Sequence, residues 1–145
     1  MADTTQIKWV FPPNWDGGYD PGCGFYRMTV KFTGYSDATG ETDAIKINRS
    51  ELRTSTGTVP TKIIVESIKW NVHGLTAILE WDNSTDEVIA YMNGGVTAGS
   101  NSGNQSWPGG LHPIDTDGTG DIVLTTSNCA AGDTYDVTMR IRLKT

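Results

Sequence analysis

Apolar and polar side chains alternate with a period of two along much of this chain. The clearest run lies near the C-terminus, where Tyr135, Val137, Met139, Ile141 and Leu143 alternate with Asp136, Thr138, Arg140, Arg142 and Lys144. Successive side chains of an extended strand point to opposite faces, so the run predicts a strand with one face on a core and one in water. Tyr26, Met28, Val30 and Phe32 repeat the pattern against Arg27, Thr29, Lys31 and Thr33. Ile7, Trp9 and Phe11 start another row, and Leu75, Ala77, Leu79 and Trp81 a fourth. Shorter candidates cover Ala44 to Asn48, Val88 to Met92 and Ile122 to Thr125.

Between Lys62 and Val72 the phase breaks. Ile63 and Val65 share one parity, while Ile68, Trp70 and Val72 share the other. A β-bulge or bend near Glu66–Ser67 would turn both sets inward. No window shows a 3.6-residue apolar period, and Pro, Gly, Asn and Asp clusters punctuate the rows. About eight short strands in a chain of 145 residues predict one all-β domain, a β-sandwich or jelly roll. Two segments read as long loops: Pro12 to Gly24, and the Gly/Ser/Asn-rich stretch from Asn93 to Gly120. Long connections without secondary structure of their own are usually functional or mobile, which makes these two the places to look for a partner.

Composition narrows the function. The formal net charge is −6, which opposes binding to nucleic-acid phosphates or to an anionic membrane. The opening MADTTQIKWV has no basic segment followed by an apolar one, so a secretory signal is not expected, and synthesis in a cytoplasm is. Cys23 and Cys129 lie far apart; their spacing leaves pairing open, with free thiols the plainer reading.

Catalytic patterns are sparse. His73 and His112 are the only histidines, neither sits beside a nucleophile elbow, and no phosphate-binding glycine loop occurs. Paired acids such as Glu80 with Asp82, or Asp86 with Glu87, are expected by chance among 17 carboxylates. No enzyme is expected. One acidic loop resembles part of a calcium site: Asp115, Asp117 and Asp121 alternate with Gly and Thr, but the closing glutamate is missing. The competing reading is a pair of Asx turns leading into the next strand. No other cofactor is indicated.

Two sets of side chains remain as candidate partner contacts. Trp15, Tyr19 and Trp107 fall in the long loops, where they could stack on a sugar ring, anchor a protein, or plug the end of the sandwich. Arg27, Lys31, Arg140, Arg142 and Lys144 lie on the polar faces of two strands. If those strands are neighbours, they make a basic stripe on an acidic protein, either a solvated polar face paired with nearby acids or a docking surface for an acidic partner.

Four segments, IKWVFPPNWDGG, GYSDATGETDAIKI, PTKIIVESIKWNV and GDIVLTTSNCAAGDTYDVTMRIRLK, resemble small virion structural proteins of tailed bacteriophages. The resemblance spans most of the chain, and its motifs are fold-forming rather than catalytic. Its best match in size and composition is a capsid decoration, or cement, protein. That implies a protein on the virion surface, bound to the major capsid protein lattice as a homo-oligomer, often a trimer. A connector or tail component shares the resemblance. A carbohydrate-binding module using Trp15, Tyr19 and Trp107 is the alternative in a different class.

Overall fold

The computed structural model describes residues 4–11, 27–52, 54, 57–94, 100–115 and 117–144. Among these residues nine strands form: β1 (Thr4–Phe11), β2 (Arg27–Asp37), β3 (Ala44–Ile47), β4 (Lys62–His73), β5 (Thr76–Trp81), β6 (Glu87–Asn93), β7 (Ser100–Leu111), β8 (Ile122–Ser127) and β9 (Ala131–Lys144). One short 3-10 turn, Arg49–Glu51, follows β3. The strands make a five-stranded sheet in the order β1-β2-β9-β4-β7 and a four-stranded sheet in the order β3-β8-β5-β6. Every pairing is antiparallel.

The pairings β5·β6, β4·β7, β3·β8 and β2·β9 nest inside one another. They describe one long antiparallel ribbon that folds over into two facing sheets, with β1 added at an edge. That is the jelly-roll order. No helix among the described residues is long and apolar enough to cross a membrane.

Alternation in the sequence becomes the core. Met28, Val30 and Phe32 of β2, and Val137, Met139, Ile141 and Leu143 of β9, are buried on the inner face of the large sheet. They pack with Ala77, Leu79, Trp81, Met92, Ile122 and Leu124 of the small sheet. The Trp81 indole Nε1–H donates to the carbonyl of Ile63 at 3.0 Å, tying the two layers with a buried hydrogen bond. Gly34 pairs with Tyr135, and the tyrosine ring occupies the space a Cβ at Gly34 would need.

The phase break falls where the sequence puts it. The register of β4 shifts between Val65 and Ser67 against both neighbours: against β9 Glu66 is the single extra residue, while against β7 the shift also skips Trp107 to Gly110. Both apolar sets, Ile63 with Val65 and Ile68 with Val72, thereby face the core.

One expected loop is corrected. The middle of the Asn93–Gly120 stretch is strand β7, hydrogen-bonded along β4 at the sheet edge. Its sequence, SNSGNQSWPGGL, carries no apolar alternation because an edge strand can take its stability from backbone pairing. The described residues thus hold nine strands, in keeping with the expected sandwich of about eight. At the opposite edge, β1 is less buried than its apolar row suggests, with Ile7 and Phe11 at 45% and 46% exposure and Trp9 partly buried.

Candidate functional site

The outer face of the large sheet is where polar chemistry collects. Because β2 and β9 are neighbours, Arg27 lies opposite Arg142, Thr29 opposite Arg140, and Lys31 opposite Thr138. The basic residues singled out from the sequence, Arg27, Lys31, Arg140 and Arg142, therefore share one surface. β4 adds Ser67, Lys69 and Asn71, and β7 adds Ser102, Asn104 and Ser106 in direct register with them. Lys69 faces Thr138 on one side and Asn104 on the other.

Two adjoining depressions run across this face. One, of about 460 Å³, is lined by Lys31, Lys69, Asn71, Ser102, Asn104, Asp136 and Thr138, among others. The other, of about 350 Å³, is lined by Thr29, Ser67, Lys69, Asn104, Ser106, Thr138 and Arg140. Lys69, Asn104 and Thr138 line both, so the two form one open trough.

Ion pairs set the electrostatics of the trough. Glu66, raised by the bulge, gathers three arginines. Arg27 Nε lies 3.0 Å from its Oε1, Arg140 Nε 3.6 Å from Oε1, and Arg142 Nη1 3.9 Å from Oε2. Arg142 also donates from Nη2 to the Gly109 carbonyl at 2.9 Å, which fastens the end of β7 over this corner. Lys31 pairs with Asp136 at 3.2 Å. The exposed pairs add little stability, and their value lies in holding charged groups in place.

Of the loop aromatics singled out from the sequence, Trp107 lies among the described residues. Trp107 is an inward position of β7, partly buried and packed against the core, and it is not on the trough. Trp15 and Tyr19 lie outside the described residues, as does Cys23. Trp70, also partly buried, lays its ring against Gly103 and donates from Nε1 to Asn101 Oδ1 at 3.0 Å.

Asp115, Asp117 and Asp121 serve separate local partners. Asp121 Oδ1 accepts the Arg49 backbone N–H at 2.8 Å, and Asp117 accepts both the backbone N–H and the hydroxyl of Ser84. Those Ser84 bonds hold the Asp117 carboxyl below its ordinary range. Asp115 contributes its backbone: the N–H donates to Glu87 Oε2 and the carbonyl accepts from Asn83 Nδ2. Burial pushes the Glu87 carboxyl up, but hydrogen bonds from Ile114, Asp115 and Asn83 outweigh it and the net shift is downward.

Sequence reading missed a different acidic group. Asp43, Glu80 and Asp86 bring carboxylate oxygens within 4.8 Å of one another on the small sheet's outer side. Burial, then repulsion from Asp86 and Asp43, raises the Glu80 carboxyl. Burial also raises Asp86, with Asp43 and Asp82 adding to it and an Asn83 backbone hydrogen bond opposing. Lys69, Asn71 and Asn104 were missed too. The alternation of Lys69 and Asn71 with Trp70 and Val72 was visible, but their β7 partners required knowing that β7 is a strand.

No protein-family model matches the chain, and no curated protein matches it. Among solved structures it is similar to a family 29 carbohydrate-binding module, at 6% identity over 96% of this chain and 88% of that chain, with a TM-score of 0.32. It is also similar to a CBM4 structure, at 8% identity over 86% and 84%, with a TM-score of 0.30. A third is the CBM22-1 xylan-binding domain from Paenibacillus barcinonensis Xyn10C, at 13% identity over 99% and 87%, with a TM-score of 0.29. Likeness at this level identifies neither a shared ligand nor a shared site.

Proposed function

We propose that the protein is a non-catalytic binding module that holds an extended polysaccharide chain along the outer face of its five-stranded sheet. The observation that carries this reading is the trough itself, floored by hydroxyl, amide and charged side chains from four adjacent strands. Such a floor offers hydrogen-bond donors and acceptors at strand spacing, about 4.8 Å apart. Sugar hydroxyls both donate and accept, so a polyhydroxylated chain can satisfy many of them at once. A stable protein partner would instead favour a patch with an apolar, aromatic-rich centre.

Affinity electrophoresis through gels containing soluble polysaccharides tests the reading. Retardation by at least one polysaccharide, reduced at least fivefold by Asn71→Ala with Asn104→Ala, is the expected result. Unchanged mobility in every gel would refute it.

A second reading is favoured by a specific observation, the gathering of Arg27, Lys31, Arg140 and Arg142 on one face. Together with the resemblance of the four sequence segments, it supports a capsid decoration protein docked through this face onto an acidic lattice of major capsid protein. Copies would bridge capsid subunits and stabilise the assembled state by binding it preferentially. Co-sedimentation with capsid shells lacking the protein tests this, and loss of co-sedimentation in Arg27→Glu with Arg140→Glu is expected. Recovery of the protein only in the supernatant would retire it.

A further inference from the structure

We infer that a separate pocket binds a small zwitterion of the amino-acid class, with a carboxylate at one end and an ammonium at the other. The inference goes beyond the polysaccharide reading and does not depend on it, since this pocket shares no lining residue with the trough. About 250 Å³ opens where the ends of β3, β5 and β7 meet the starts of β4 and β8, lined by Arg49, Lys62, Asn83, Pro113 and Asp115 among others. Backbone hydrogen bonds fix its walls. The Asp82 N–H donates to the Asp121 carbonyl at 2.8 Å, and the Gly120 N–H to the Asp82 carbonyl at 2.9 Å.

Two cations line the pocket without a counter-charge. Arg49 donates from Nε to the Thr119 carbonyl at 2.6 Å and from Nη1 to the Pro60 carbonyl at 2.7 Å. Lys62 donates from Nζ to the Pro113 carbonyl at 3.2 Å. Carbonyls hold both side chains in place without neutralising them, and no carboxylate lies in ion-pair distance of either among the described residues. Each keeps N–H groups for a ligand, and the planar guanidinium matches the geometry of a carboxylate. Acceptors complete the pocket. Asn83 is 6% exposed, and its Nδ2 donates to Glu87 Oε2 at 2.6 Å and to the Asp115 carbonyl at 3.2 Å. Both partners only accept, so the amide cannot be turned round, and its Oδ1 is left buried with no hydrogen-bond partner. A buried acceptor in that state calls for a donor from outside the chain. Asp115 lines the same pocket, and its exposed carboxylate has no partner among the described residues. A neutral and an anionic acceptor together suit an ammonium, which only donates. A simple carboxylic acid leaves Asn83 Oδ1 unmet, a hydroxy acid leaves Asp115 unpaired, and an amine leaves the two cations unpaired.

The test is isothermal titration of the full chain, in a buffer free of amines and carboxylates, with the common L-α-amino acids, β-alanine and γ-aminobutyrate. The best of these is then compared with the matching hydroxy acid, which lacks the ammonium, and the matching amine, which lacks the carboxylate. Saturable binding of at least one zwitterion is expected, with both analogues weaker by roughly tenfold or more, the loss that goes with one charge-assisted hydrogen bond. Lys62→Gln is expected to weaken the zwitterion and the hydroxy acid alike. Asp115→Asn is expected to weaken the zwitterion alone, because only the zwitterion carries the ammonium. Neither side chain is in the core, so both variants should melt within a few degrees of the parent, which separates a lost ligand from a lost fold. A hydroxy acid bound as tightly as the amino acid overturns the inference in favour of a plain anion site. Binding that survives both substitutions unchanged overturns the assignment to this pocket. Silence from every zwitterion overturns the inference and leaves the polysaccharide reading untouched.

Discussion

Val137 sits at the centre of the large sheet, and replacing it measures how well the two-layer reading describes the core. It is fully buried, with Phe32 opposite on β2 and Trp70 opposite on β4. Val137→Ala removes two methyl groups, worth about 1.6 kcal/mol at about 0.8 kcal/mol each. A residual cavity between two packed sheets adds to this, for a total of about 2–3 kcal/mol. For a domain of this size that is a fall in melting temperature of about 5–10 °C. Val137→Asp buries an unpaired charge at the same point and is expected to abolish cooperative folding, because its cost approaches the whole stability of about 5–15 kcal/mol. Thr138, one residue on, points to the trough, and Thr138→Ala is expected within about 0.5 kcal/mol of the parent. Thermal melts followed by circular dichroism separate the three. A cooperative melt of Val137→Asp within a few degrees of the parent, or a loss in Thr138→Ala as large as in Val137→Ala, would refute the assignment of faces.

Two further outcomes follow from the geometry. Gly34→Ala is expected to destabilise by about 1–3 kcal/mol, because its Cβ would stand 2.3 Å from the buried Tyr135 ring; a variant as stable as the parent would show that the ring can move. Glu80→Gln is expected to stabilise the fold at pH 7 by about 0.5 kcal/mol. Burial, Asp86 and Asp43 raise the Glu80 carboxyl above its ordinary 4.5, so stability it contributes below that pH is lost as pH rises through the folded value. The gain should therefore vanish at acid pH, and a gain that persists in urea melts below pH 4.5 would contradict the repulsive cluster.

The legibility of the fold tracks where each strand obtains its stability. β2 and β9 are central strands, each with one face in the core, so their burial is written as strict alternation and could be read directly. The bulge at Glu66 was readable because it shifts an apolar row from one parity to the other. β7 was not, since an edge strand held by backbone hydrogen bonds to β4 needs no apolar row, and its Ser, Asn and Gly residues look like loop. The same blindness hid much of the candidate site. The arginines and Lys31 were visible as polar strand positions, whereas the meeting of Lys69 with Asn104 depends on the β4–β7 register. The Asp43, Glu80 and Asp86 cluster draws on three separated chain segments, and no local spacing announces it. The acidic loop drew notice for its spacing, yet Asp117 and Asp121 turn to Ser84 and Arg49 through contacts that spacing does not encode.

The central claim is that ligand is held by the outward side chains of β2, β9, β4 and β7. Two-dimensional amide NMR of the labelled protein, titrated with an oligosaccharide of the best-bound polymer, tests it most directly. The account predicts saturable shifts at Lys31, Lys69, Asn104 and Thr138, with Ile45 and Tyr91 on the small sheet unmoved. Shifts concentrated on the small sheet or on the Asp115–Asp121 loop, with the trough silent, would contradict it.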